Sequence, residues 1–165
     1  MKNIIKIFLI FTLFTACDDK KCDDVLCGPN QACDRGFCYC IDGYEGTDCQ
    51  DIAANKYTGN YNVSQSCTQG NGGNYVTFGT VQASSGQINE LLFYNFLGIG
   101  QTAYAYIGTG ANGQADYIRF PSQNLGGAQI VGEGYYQDYG GSGRITIDIQ
   151  LTISGQLSVC NYVYY

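Results

Sequence analysis

The sequence predicts an all-β protein: a small disulfide-knotted module followed by an eight-stranded antiparallel meander that closes into a β-barrel, with a two-sheet β-sandwich as the alternative. Three observations predict it. Short β-prone runs separated by Gly, Asn and Ser recur through the last two thirds of the 165 residues, with no helical period competing with them. The run "RITIDIQLTI" alternates strictly, with Ile145, Ile147, Ile149, Leu151 and Ile153 on one face and Arg144, Thr146, Asp148, Gln150 and Thr152 on the other. Finally, six of the nine cysteines crowd between Cys22 and Cys49, where too little chain is present to bury a core.

The first element is a leader. In "MKNIIKIFLIFTLFTAC", Lys2 and Lys6 precede an apolar run from Ile7 to Phe14, the layout of a secretory signal. The run is short of the roughly 20 apolar residues that a spanning helix needs. Its end, "Phe14-Thr15-Ala16-Cys17", resembles a bacterial lipobox, although lipoboxes usually carry Leu where Phe14 stands. The resemblance implies a signal peptide over 1–16 and a Cys17 that receives a diacylglyceryl group, becomes the first residue and can be acylated on its amine. The other reading is a soluble secreted chain with Cys17 free or disulfide-bonded. An odd cysteine count in an exported protein leaves one thiol to be explained, and lipidation of Cys17 explains it. Multiple acyl chains meet the requirement of stable anchoring for more than one membrane signal. Residues 17–21 would then form a lipidated tether, whose Asp18 and Asp19 read as a solvated face or a sorting signal.

The spacing Cys22-x4-Cys27-x5-Cys33-x4-Cys38-x-Cys40-x8-Cys49 resembles that of an EGF-like domain, here 22–50. Within it, "CYCIDGYEGTDC" carries that family's Cys-x-Cys, its Gly43-Tyr44 aromatic turn, and Gly46 three residues before the last cysteine. Six cysteines allow 15 pairings in principle. The resemblance implies Cys22–Cys33, Cys27–Cys38 and Cys40–Cys49. Cross-links persist in an oxidising compartment, which agrees with export. Zinc is the competing reading for dense cysteines, but the paired spacings of metal sites are missing and the chain has no His. Calcium-binding EGF-like domains carry acidic and amide residues just before the first cysteine; Asp18-Asp19-Lys20-Lys21 puts two cations there, so no metal is expected.

After a linker at 51–56, charges become sparse and Gly, Tyr, Asn, Gln and Thr dominate, which marks 57–165 as the larger domain. Eight strands are expected, at Tyr57–Ser66, Tyr75–Ala83, Ile88–Leu97, Thr102–Gly108, Ala115–Phe120, Ala128–Tyr135, Gly143–Ile153 and Gln156–Tyr165. Links such as "SSGQ" and "GANG" are too short for parallel crossovers, so neighbours must be antiparallel. Cys67 lies just past the first strand and Cys160 within the last. Because a disulfide holds its Cα atoms roughly 4.4–6.8 Å apart, pairing these two would bring the ends of the meander together and close it. The domain also resembles the calycin-like or lipocalin-like barrels of exported bacterial lipoproteins, through strand number, length and the early "Gly59-Asn60-Tyr61".

The residues exclude more chemistry than they suggest. Without His, no Ser-His-Asp or Cys-His arrangement is possible. Five acids in the larger domain, Glu90, Asp116, Glu133, Asp138 and Asp148, could in principle supply the carboxylate pair of a glycoside hydrolase. "GTGANG" fits a nucleotide-binding glycine pattern, but a strand rather than a helix follows it, so it reads as a hairpin turn. "NVS" at 62–64 fits a glycosylation acceptor but lies inside a strand. A net charge of −6 and the lack of a basic patch argue against nucleic acid.

Tyrosine is the remaining signal, with 13 of the 15 in the larger domain. Tyr suits strands and also sugar, peptide or aromatic ligands. Tyr104, Tyr106, Tyr117 and Arg119, on middle strands, are the candidate ligand-binding residues. The sequence as a whole reads as a non-catalytic, lipid-anchored envelope protein without cofactor, displayed on the outer membrane surface. Its partners would be the bilayer, through acylated Cys17, and a protein, a glycan or a small apolar ligand. A structural envelope component is the alternative.

Overall fold

A computed structural model describes residues 22–68, 75–108 and 116–165. The expected signal peptide, the lipidation site Cys17 and the tether lie outside the described residues, as do Ala115 and most of "GTGANG".

The N-terminal module is two small hairpins held by cross-links. Strands β1 (Gln31–Asp34) and β2 (Phe37–Cys40) pair antiparallel with Cys33 opposite Cys38, and β3 (Tyr44–Glu45) pairs with β4 (Asp51–Ile52). The disulfides are Cys22–Cys33, Cys27–Cys38 and Cys40–Cys49. Cys49 is the one core hydrophobic residue among 22–50, so cross-links rather than burial constrain this segment.

The segment 51–56, expected as a linker, is built into both parts of the molecule. Asp51 and Ile52 form β4 of the module, and the 3-10 helix Ala53–Tyr57 follows. Ala53, Ala54 and Tyr57 are fully buried, and the Ala53 N–H donates to the Gly43 carbonyl at 3.0 Å. Two small residues and one aromatic at this spacing let a tight turn enter the end of the barrel, where Tyr57 meets Tyr136 edge-on at 5.3 Å between centroids.

The larger domain is a closed eight-stranded antiparallel barrel. Its strands are β5 (Gly59–Cys67), β6 (Tyr75–Ala83), β7 (Glu90–Phe96), β8 (Gln101–Gly108), β9 (Tyr117–Leu125), β10 (Ala128–Asp138), β11 (Gly143–Ile153) and β12 (Gln156–Tyr164). Each pairs with its neighbours in sequence, and β12 returns to β5, so no edge is left exposed. Cys160 lies directly opposite Cys67 in that closing pair, and the two are disulfide-bonded. The sandwich alternative therefore does not apply. A sandwich would leave the first and last strands unpaired with each other.

Alternation decides which side chains fill the interior. Ile145, Ile147, Ile149 and Leu151 of β11 are buried while Arg144, Asp148 and Gln150 are exposed. At the centre Phe93 packs against Phe120 and Tyr164 at 5.0 and 5.5 Å, and Phe96 against Phe120 and Tyr162, both at 5.4 Å. The middle of the barrel is thus a packed aromatic core rather than a continuous channel. On β10, the glycines at 132 and 134 face this crowded side. A Cβ there would come within 2.2 Å of the Asp148 carbonyl oxygen and 2.5 Å of the Thr146 carbonyl oxygen, so only glycine lets β10 lie so close to β11.

Two strands run further than their sequence pattern predicts. β9 continues past Phe120 to Leu125 through Pro121, and β10 reaches Asp138. Pro121 has no N–H for a ladder, and the β9–β10 register shifts between Ile130 and Gly132 to bypass it. On the other side of β9, the Gln123 side chain replaces a missing rung. Its Oε1 accepts from the Tyr104 N–H at 3.0 Å and its Nε2 donates to the Tyr104 carbonyl at 2.8 Å. A strand continued by a side chain in this way leaves no periodic signal in sequence.

Burial has a consequence at high pH. Desolvation, the largest cause in each case, pushes the hydroxyls of Tyr57, Tyr162 and Tyr164 above the usual tyrosine range and Tyr61 up to about 12. These pKa values are raised in the folded state, so their contribution to stability is complete below the unfolded tyrosine pKa of about 10 and is lost as pH rises beyond it. We expect part of the tyrosinate absorbance to appear only together with loss of the β circular dichroism signal above about pH 10. Full tyrosine ionisation with that signal intact would contradict the buried positions.

Candidate functional site

The two ends of the barrel differ. At one end, the disulfide module and the 3-10 helix sit against the β6–β7 link: the glycine at 43 lies so close to Ile88 that a Cβ would come within 2.7 Å of its side chain. Lys56 holds this junction. Its Nζ donates to a Glu45 carboxylate oxygen from the module and to Asp116 Oδ1 from the barrel at 2.7 Å. The ammonium also lies 5.5 Å from the ring centroids of both Tyr57 and Tyr136. Removing the cation would leave two carboxylates facing each other in a half-buried site. Lys56→Met is expected to lower the unfolding free energy by about 1–2 kcal/mol, discounted from a fully buried pair for its partial exposure. A urea midpoint equal to that of the unsubstituted protein would show that the ion pairs do not hold the junction.

Among the described residues, the other end is open. A cavity of about 730 Å3 lies there, bounded by the β7–β8, β9–β10 and β11–β12 turns and by the facing ends of β5, β6 and β12. The β9–β10 turn is Gly126–Gly127, with φ of 59° and 92°; both are in the left-handed region, which a two-residue hairpin turn requires. The β7–β8 turn is organised by Asn95, whose Nδ2 donates to the Phe78 carbonyl at 2.7 Å while its Oδ1 accepts from the N–H of residue 100 at 2.9 Å. The Tyr75 hydroxyl also donates to the Leu97 carbonyl in this turn. These bonds hold the rim as built structure.

The wall of the cup is mostly apolar, supplied by Leu97, Ile99, Leu125, Leu151 and Ile153, and among the described residues none that lines it is charged. Polar side chains line it as well, from Tyr75, Thr77 and Ser154 and from the buried Gln65 and Tyr162. Gln65 on β5 and Tyr162 on β12 are register partners, 5% and 1% exposed. Gln65 Nε2 donates to Cys67 Sγ at 3.1 Å, while Gln65 Oε1 and the Tyr162 hydroxyl have no hydrogen-bond partner among the described residues. A buried polar atom left unpaired costs about 1–3 kcal/mol. Both atoms are closed to solvent, on register partners that also line the cup, and they mark this end as the candidate site.

The candidate residues from sequence lie elsewhere. Tyr104, Tyr106, Tyr117 and Arg119 do not line the cup; they alternate with the buried Ala103, Ala105, Ile107, Ile118 and Phe120 and therefore project from the outer wall. The reason is the pleat: once the small and branched residues of β8 and β9 face inward, their tyrosines must face out. Tyr117 and Arg119 do border a shallow outer groove, where the Tyr117 hydroxyl donates to Glu133 Oε2 at 2.7 Å. The five acids are dispersed among separate partners. Asp116 binds Lys56, Glu133 binds Tyr117, Asp148 accepts from Asn161 Nδ2 at 2.9 Å, Asp138 accepts from the N–H of residue 141 at 3.0 Å, and Glu90 lies beside Tyr106. Glu133 and Asp148 are register partners on this convex outer wall, side by side rather than opposed across a cleft.

Sequence reasoning missed Gln65 and Tyr162. Gln65 could have been found as an amide on the inward parity of β5, between Val63 and Cys67. No protein-family model, curated protein or solved structure matches this chain.

Proposed function

We propose that the protein is a lipid-anchored envelope protein, tethered through acylated Cys17 and displayed at the outer membrane surface, in which an EGF-like module carries a non-catalytic, calycin-like binding barrel. The observation that carries this reading is polarity: the disulfide module is seated on one end of the barrel, and the apolar cup opens at the other. A chain anchored ahead of Cys22 would hold that cup away from the bilayer. The lipobox-like "Phe14-Thr15-Ala16-Cys17" and a cysteine set in which eight of nine are disulfide-bonded support the anchor.

The test is metabolic labelling with a palmitate analogue, beside a Cys17→Ser variant. The unsubstituted chain is expected to take up label, to partition into detergent and to be cut by protease added to intact cells. Cys17→Ser should lose the label. A variant that still takes up label would overturn Cys17 as the anchor, and protection from protease on intact cells would overturn surface display.

A second reading, a structural envelope component, is favoured by the outer face of β6, where Val76 and Phe78 are 67% and 73% exposed. It predicts that Phe78→Ser abolishes cross-linking to a second envelope component. The binding reading predicts no change.

A further inference from the structure

We propose that the disulfide module is itself seated on the membrane, with the exposed stripe Phe37, Tyr39 and Ile41 inserted into the headgroup region of a zwitterionic phospholipid bilayer. The inference rests on the reading of Cys17 as the lipid anchor and adds a second membrane contact, which orients the module on the surface.

The stripe follows from the pleat. Phe37 and Tyr39 share one face of the β1–β2 ribbon, while Cys38 between them points to the other. Ile41 continues the parity of the first two, and its N–H donates to the Asn30 carbonyl at 2.9 Å, which carries the ribbon one rung further. These three side chains are 78%, 46% and 40% exposed. The opposite face is occupied, because the register partners Cys33 and Cys38 are bonded there to Cys22 and Cys27. Cys49 is the one core hydrophobic residue of 22–50, so the module has no interior that the stripe could join.

The length of chain to the anchor says what covers this face. Cys22 is five residues beyond Cys17, a span of at most about 18 Å. From Cys22 the disulfide to Cys33 adds 5.9 Å between Cα atoms, and β2 lies one strand spacing further, about 5 Å. An acylated Cys17 therefore keeps the ribbon at the bilayer surface, where Phe37 and Ile41 gain by leaving water. Tyr39 suits the same depth, since it can bury its ring and keep its hydroxyl wet. Charge selects the lipid. Residues 22–50 carry six acids and one base, so anionic headgroups would repel the module and zwitterionic ones would not. Asp23 and Asp24 lie on the segment that is bonded to the face opposite the stripe, and Asp34 beside Phe37 is 3.9 Å from Arg35.

The experiment places the full acylated chain in phosphatidylcholine vesicles that contain a phospholipid with a diazirine near the top of its acyl chain. After illumination, peptide mass spectrometry locates the label. It is expected on 37–41 and not at Val76 and Phe78, which are equally exposed on the barrel. The double variant Phe37→Ser/Ile41→Ser should lower labelling of 37–41 at least about tenfold, because both apolar anchors are gone. Leu26→Ser should leave it unchanged: Leu26 is as exposed as Phe37, but its neighbour Cys27 is bonded on the opposite face. The variants are compared with the three module disulfides confirmed by mass, so that a loss of label is not a loss of fold.

Label spread evenly over module and barrel, or unchanged in the double variant, would overturn the proposal by showing that the anchor brings the chain near the bilayer without seating this face. Label on 22–27 in place of 37–41 would overturn it as well, since the opposite face would then be the one in contact. No photolabel in pure phospholipid, together with a protein cross-linked to 37–41 in cells, would assign the stripe to a protein partner instead. The anchor is judged separately. A chain that takes up no palmitate analogue fails the Cys17 reading and this inference with it, whereas a palmitate-labelled chain without photolabel on 37–41 fails this inference alone.

Discussion

Replacing Cys67 and Cys160 together by alanine is expected to lower the unfolding free energy by about 4–5 kcal/mol, the largest single effect in the molecule. The bond closes a sequence separation of 93, against 9 to 11 for the three disulfides of the N-terminal module, so it removes the most freedom from the unfolded chain. Its place in the fold adds to this. The β5–β12 pair is the seam that turns a meander into a barrel, and it joins the two ends of the domain. Denaturant titration of the double variant, with the other three disulfides oxidised, is the measurement. A change below about 1 kcal/mol would mean that the seam is held by strand pairing and packing alone, and that the chain-entropy account does not apply here.

Tyr57→Ala is expected to cost about 3–5 kcal/mol, the range for removing a large buried aromatic side chain. Tyr57 is fully buried at the end of the 3-10 helix, packs edge-on against Tyr136, and its carbonyl accepts from the Tyr61 hydroxyl at 2.8 Å. Truncation leaves a void between the helix and the barrel, which the surrounding strands cannot collapse into because they are closed in a ring. The expected readout is a lowered urea midpoint together with faster proteolysis at 51–57. A loss under about 1 kcal/mol would show that the helix lies against the barrel without sealing it.

The strands were legible because the pleat imposes a period of two and a half-buried strand must obey it. β6 and β11 have the bounds that alternation and turn residues predict, and the antiparallel order follows from links too short to cross over. Where another device replaces the ladder, the pattern fades. β9 past Pro121 depends on a register shift and on the Gln123 side chain, and neither has a periodic signature. Residues 51–56 are short and mixed in composition, so they read as a linker; their burial follows from contacts with Gly43, Tyr136 and Asp116, which are distant in the chain.

The candidate site was the least legible part. Tyrosine abundance drew attention to Tyr104, Tyr106, Tyr117 and Arg119, which lie on the outer wall, because composition says how many tyrosines there are but not which way each faces. Gln65 and Tyr162 stand out only once β5 and β12 are paired. Their significance lies in two atoms, Gln65 Oε1 and the Tyr162 hydroxyl, that have no hydrogen-bond partner among the described residues, and that is a property of the assembled interior.

By itself the sequence determined the all-β class, the strand number and the cysteine pair at the ends of the meander. These follow from local periodicity, turn chemistry and where the cysteines fall along the chain. The cysteine pair also predicted closure into a barrel, with a sandwich as the alternative; only the tertiary structure excluded the sandwich and decided that the middle of the barrel is packed, that one end is open among the described residues, and that the segment after the disulfide module seals the other end. Those outcomes depend on which side chains meet across the closed ring. The spacing of residues along one chain does not contain that information until β12 is laid beside β5.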